Sequence, residues 1–133
     1  YIMQSILLAR EEYFNNRTLW WSVKPKEYAF LKDLDVHHQI AGQVYFTEQS
    51  ISKSLNSLPQ ENVMVIDYET LCARPNDVFN QLKAKNKNLG YDFTADFKSE
   101  PFEFNSIRKI TTEDWEKLEK AYSDFSSEII KTS

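Results

Sequence analysis

Glycine is nearly absent, with two residues in 133, Gly42 and Gly90. Neither a G-x-x-x-x-G-K-[ST] loop nor a G-x-G-x-x-G turn can be written with them, so the chain has no glycine-rich cradle of its own for a phosphate. Cysteine is rarer still. Cys72 stands alone, which excludes an internal disulfide framework and any zinc site resting on several thiolates. A lone thiol suits a reducing compartment, and a cytoplasmic location is the expectation. No run reaches the ~20 apolar residues that a spanning helix needs, so no membrane span is expected. Basic charge is also in deficit: 16 Lys and Arg against 20 Asp and Glu leave a formal net charge of -4. A broad nucleic-acid surface carries a basic excess. Nucleic acid is therefore not an expected partner, while a local basic pocket for a small anion stays open.

Core material is plentiful, at 41% hydrophobic and 14% aromatic residues. A chain of this length makes one domain on size alone, over residues 1–133. It opens at Tyr1 with YIMQSILLAR, which lacks the basic leading region and small-residue cleavage site of a secretory leader. The segment reads as the middle of a helix, and the domain as a partial one.

Apolar residues Ile2, Ile6, Ala9 and Tyr13 repeat at helical spacing over 1–14, with Asn15 and Asn16 as stop signals. The aromatic segment that follows is a loop with a short helix from Pro25. A long helix starts at Asp33 or Asp35 and runs to about Leu58, before Pro59. Gly42 inside it costs about 1 kcal/mol relative to Ala, which predicts a close packing contact there. His37 and His38 point about 100° apart on that helix and cannot share a metal; they are expected as solvated or core-edge residues. Val63–Asp67, within VMVIDY, predicts a strand buried on both faces. Since one strand makes no sheet, its partners have to come from other sequence or another copy. Pro75 predicts the start of a further helix and Gly90 its end, followed by extended chain over 91–110. Thr111 or Thr112 then caps a last helix whose first turn is acidic, with Trp115, Leu118, Tyr122 and Phe125 on one face. The fold class expected from these elements is α/β and predominantly helical, with one clear strand at 63–67.

No metal-ligating pair, nucleophile elbow or paired acid and base emerges, so no catalytic residue is assigned and no metal is expected. Cys72 reads as a packed thiol. Ser5, Tyr68 and the Arg108–Lys109 pair have anion-binding chemistry, a guanidinium fork next to a point charge suiting a terminal phosphate. Taken by themselves, Arg108 and Lys109 read first as two exposed loop cations.

In order and spacing, these segments resemble the C-terminal half of a sulfotransferase that uses the sulfate donor PAPS, of the bacterial type. YIMQSILLAR resembles the helix after the family's 3′-phosphate motif, which makes Ser5 the phosphate-binding serine. WWSVKPKEY followed by QIAGQVYFTEQSI resembles a helical insertion of bacterial-type members. VMVIDYETLCARP is similar to the family's strand with a Tyr-Glu-Asp/Thr-Leu continuation, and places Tyr68 near the nucleotide. RKITTEDWEK resembles Arg-Lys-Gly-x-x-Gly-Asp-Trp, keeping Arg108, Lys109, Asp114 and Trp115 but carrying Ile110 and Glu113 in place of both glycines. Glycine lets a backbone approach a phosphate closely, so those replacements alter closure over the cofactor. The resemblance implies the C-terminal part of a P-loop sulfotransferase-like fold. The complete protein would transfer a sulfuryl group from PAPS to a hydroxyl or amine. Ser5, Tyr68, Arg108 and Lys109 would be the cofactor-binding residues in this chain. Trp20, Trp21 and Tyr28 are candidate acceptor contacts. The chain alone is expected to be inactive, lacking the phosphosulfate loop and the base. The alternative is a non-catalytic helical interaction domain, and either reading predicts a homo-oligomer because the 63–66 run needs cover.

Overall fold

The structure is a computed structural model that describes residues 1–94, 96–104 and 106–132, the final residues from 128 as helix backbone. It is predominantly helical: α1 (Ile2–Phe14), α2 (Tyr28–Leu31), α3 (Val36–Asn56), α4 (Tyr68–Ala73), α5 (Pro75–Asn88) and α6 (Thr112–Thr132), with a 3-10 turn at Gln60–Asn62. Two compact units are formed, one from residues 1–53 and 107–133, the other from residues 54–106.

In the first unit, local sequence sets each helix end. Asn15 closes α1 in the left-handed conformation (φ 49°), its N–H donating to the Glu11 carbonyl (2.9 Å) and the Asn16 N–H to the Arg10 carbonyl (3.4 Å), a geometry that asparagine tolerates better than most residues. Asp35 caps α3, its Oδ1 accepting from the N–H groups of His37 (3.0 Å) and His38 (3.3 Å). Thr111 and Asp114 form a reciprocal cap on α6. Asp114 N–H donates to Thr111 Oγ1 (3.1 Å), and Thr111 Oγ1–H donates to Asp114 Oδ2 (3.0 Å).

The core of this unit has two clusters. Leu7, Ile40 and Leu118 form one, and Leu31, Ala41, Tyr45, Ala121 and Phe125 the other. Each draws on both α3 and α6, which brings the N-terminal and C-terminal parts of the chain into one interior. On the outer edge, Tyr122 Oη donates to Glu48 Oε2 (2.6 Å) and ties the same two helices. Gly42 sits where they meet: a Cβ there would overlap Leu31 Cδ2 and lie 3.0 Å from Phe125 Cζ. The close contact expected of this glycine is present.

The second unit is smaller. Asp67 caps α4 through Thr70 N–H (2.8 Å) and Thr70 Oγ1 (2.9 Å), and Pro75 opens α5. Gly90 adopts φ 86° after α5, as its role as terminator requires. The extended chain that follows returns along the helices. Phe102 N–H donates to the Cys72 carbonyl (3.0 Å), and Asn76 exchanges two 2.9 Å bonds with the backbone of Ser99. Phe97 packs on Phe79 at 5.0 Å between ring centroids. Cys72 is buried, as expected of a packed thiol.

One expectation fails. No strand forms at 63–67 or elsewhere among the described residues. Val63 (φ -110°, ψ 129°) and Asp67 (φ -72°, ψ 131°) have extended backbone, but a strand exists only through a hydrogen-bonded ladder, and the described residues form none. Val65 is 80% exposed and Ile66 41%. The β-branched run is therefore an open connector, and Tyr68 begins α4 instead of ending a strand. Propensity set the backbone angles here, and pairing did not follow.

Two outcomes check this packing. Gly42→Ala gains ~1 kcal/mol of helix propensity but overpacks the contact with Leu31 and Phe125 by ~1–3 kcal/mol, so stability should fall by about 1 kcal/mol, read as a lower urea midpoint at unchanged slope. Val65→Asp should shift stability by less than ~0.5 kcal/mol; a loss several times larger would mark Val65 as a core residue after all.

Candidate functional site

The side chains that organise the first unit converge on one carboxylate. Asp114, in the first turn of α6, is buried. Arg17, from the loop after α1, donates to it bidentately through Nη1 to Oδ1 (2.9 Å) and Nη2 to Oδ2 (3.0 Å). His37 Nε2 from α3 reaches Oδ1 at 2.9 Å, and Thr111 completes the shell. Burial alone would push this carboxyl up. The bonds from Arg17, His37 and Thr111 outweigh it and bring the pKa to about 2. The Arg17 guanidinium is held up in turn by Asp114 and by Glu11, which accepts from its Nε. His38 faces carboxylates with both ring nitrogens, Asp35 at 2.5 Å and Asp124 at 3.3 Å. Both histidines thus sit at the core edge in carboxylate contact. No group of metal-ligating side chains occurs among the described residues.

Beneath this node lies Arg10, with no exposed surface. It donates to Gln39 Oε1 (2.8 Å) and the Arg17 carbonyl (3.0 Å), and stacks over Trp20 at 5.2 Å. Burial lowers its pKa to about 10. Trp20 also meets Tyr28 edge to face at 4.8 Å, and Trp21 stacks on Tyr13 at 4.7 Å. The three aromatic residues suggested as acceptor contacts are thereby engaged in packing within the loop and its neighbours.

The candidate phosphate residues divide between the units. Ser5 lies exposed on α1, its hydroxyl donating to the Tyr1 carbonyl at 3.3 Å. Arg108 and Lys109 are exposed in the strand-free segment leading to α6. Gln4 links the two places. Its Nε2 donates to the Ile107 carbonyl (3.1 Å) and its Oε1 accepts from Lys109 N–H (2.7 Å), so one side chain grips the backbone on either side of Arg108 from the position preceding Ser5. The Arg108 guanidinium lies over the Trp115 ring at 4.6 Å; a cavity of about 160 Å³, lined by Tyr1, Met3, Gln4, Trp115, Leu118 and Glu119, does not include Arg108 or Lys109. Among the described residues neither Arg108 nor Lys109 has a carboxylate partner in an ion pair. Tyr68 belongs to the second unit, where it meets Phe104 at 5.8 Å and its hydroxyl is pushed up by the Cys72 thiol.

Arg17, His37, Gln4 and Arg10 were not legible as site-forming residues. The only signal was Thr111-x-x-Asp114, which marks a cap but not the partners that reach it from the other end of the chain. No protein-family model, curated protein or solved structure matches the chain. No helix among the described residues is long and apolar enough to cross a membrane.

Asp114→Asn should cost about 2 kcal/mol at pH 7, from a carboxyl held at about 2 against an ordinary 3.8. A depressed carboxylate stabilises above its unfolded pKa, near 4, and loses that contribution as pH falls through about 2. Acid unfolding of the native chain should therefore be steeper between those values than that of Asp114→Asn, as followed by circular dichroism.

Proposed function

We propose that this chain is part of a PAPS-dependent sulfotransferase and contributes one wall of the pocket for the cofactor's 3′-phosphate. The observation that carries this reading is the Gln4 clamp. It seats the Arg108–Lys109 backbone against the turn of α1 that bears Ser5, although more than 100 residues separate Gln4 from either contact (|i−j| 103 and 105). A guanidinium fork, an ammonium and a hydroxyl offered from adjoining backbone are the donor set that a terminal phosphate takes up. The order and spacing of the four resembling segments support the same reading. The P-loop core belongs to this proposal, and Tyr68, in the other unit, is assigned to the nucleotide by the resemblance alone.

Sulfuryl transfer also needs an in-line acceptor, a base for its proton and cations about the leaving phosphate. With two glycines the chain holds no phosphosulfate loop, and we assign it no catalytic residue. The 133-residue chain alone should thus give no transfer from PAPS to phenols, sugars or lipid alcohols above a protein-free control. Calorimetric titration tests the pocket: adenosine 3′,5′-bisphosphate should bind better than adenosine 5′-monophosphate. Arg108→Ala should weaken the bisphosphate about tenfold, the range of a charge-assisted hydrogen bond near solvent. Gln4→Met should erode the same preference without touching a donor. Equal affinity for both nucleotides overturns the assignment. It favours the second reading, a self-associating helical interaction domain, whose supporting observation is the exposed apolar run at Val65 and Ile66. Sedimentation equilibrium should then find a homo-oligomer.

A further inference from the structure

A cavity of about 250 Å³ lies between the loop at 23–27 and α3 in the first unit, with Phe46 and Ile51 among its α3 residues and Lys24 and Lys26 among those of the loop. The loop backbone is fixed on both sides of Lys24. The Val23 carbonyl accepts from Gln43 Nε2 (2.9 Å) and Trp20 Nε1 (3.0 Å), and the Pro25 carbonyl from Tyr28 N–H (2.9 Å). The Lys24 ammonium rests over the Tyr28 ring, 4.5 Å from its centroid, which removes part of a long side chain's rotamer freedom. Lys26 pairs with Glu27 at 3.7 Å, whereas Lys24 stands in no ion pair among the described residues. An oriented ammonium without a carboxylate therefore borders a cavity whose α3 side offers an aromatic and an aliphatic side chain.

We propose that this cavity binds a small organic monoanion, an apolar body carrying one carboxylate, with the carboxylate at Lys24 and the body along Val23, Phe46 and Ile51. An ammonium only donates, so its complement is an acceptor, and a charged acceptor bonds it about twice as strongly as a neutral one. Charge narrows the class. Lys24, Lys26 and Glu27 leave the wall one net positive charge, which one carboxylate matches, while a cation meets like charge and a dianion overshoots. A single ammonium also lacks the fork that holds a phosphate at two points. Size narrows it further: an engineered cavity of ~150 Å³ holds benzene, so about 250 Å³ takes one ring with its carboxylate. Val23 and Ile51, 56% and 53% exposed, are the apolar residues that such a body would cover. The site shares no residue with Ser5, Arg108 and Lys109 and does not rest on the sulfotransferase reading.

Titration of the full chain with benzoate and with its neutral isostere benzamide, followed by two-dimensional nitrogen-15 NMR, tests this. Benzoate should shift the Lys24 and Phe46 backbone amides saturably. At low salt it should bind about three- to fivefold tighter than benzamide, the worth of one ion pair near solvent. Ionic strength near ~1 M should shrink that preference. Lys24→Met keeps a long side chain beside Tyr28 and should bring benzoate down to benzamide, whose own affinity stays unchanged. Ile51→Ala, at a half-exposed position, should weaken both probes together. Lys120→Met, which removes an exposed ammonium outside the cavity, should change neither. Equal affinity for the two probes at low salt, a preference that Lys24→Met leaves intact or Lys120→Met abolishes, probes indifferent to Ile51→Ala, or shifts that never saturate would each overturn the proposal.

Discussion

The Asp114 carboxylate is the constraint on which the first unit depends. A buried carboxylate is costly unless its oxygens are met, and here Arg17, His37 and Thr111 meet them from three different segments. Because the acid sits in the first turn of α6, the same contacts that neutralise it also fix where that helix begins. Everything downstream on α6 then falls into register: Leu118 into the cluster with Leu7 and Ile40, and Ala121 and Phe125 against α3 at Gly42. The electrostatics choose the geometry and the apolar faces supply most of the energy. Arg17 gains from the arrangement too, since a guanidinium fork matched to a carboxylate loses little freedom for two bonds.

The segment just before α6 inherits that order. Its backbone is held by Gln4 at one end and by the Thr111–Asp114 cap at the other, with Arg108 lying on Trp115 between them. A cation on an exposed loop ordinarily samples many rotamers, and binding an anion requires freezing them. Stacking on an indole face removes part of that freedom beforehand. Whatever anion meets Arg108 and Lys109 finds their backbone already placed.

Helix ends were readable in the residues because capping is a short-range matter. Asn15, Asp35, Pro75, Gly90 and the Thr111–Asp114 pair each act within one turn, and the structure uses all of them. Gly42 was readable for a different reason, since an interior helical glycine carries a cost that only close packing repays. Val63–Ile66 misled because β-branched residues choose an extended backbone locally, whereas a strand is a relation between two segments. The convergence on Asp114 was illegible for the same cause: Arg17 lies 97 residues away and His37 77, and nothing in the composition of either segment names the other.

The Tyr122–Glu48 bond gives the α3–α6 contact an optical label. Donation to a carboxylate raises that phenol from 10.0 to about 12, so its stabilising contribution is fully present below about pH 10 and is lost as pH rises through about 12. The phenolate absorbs in the ultraviolet where the phenol does not. A tyrosine whose colour change is withheld until the helices part reports that event from within, with no dye attached and no residue replaced.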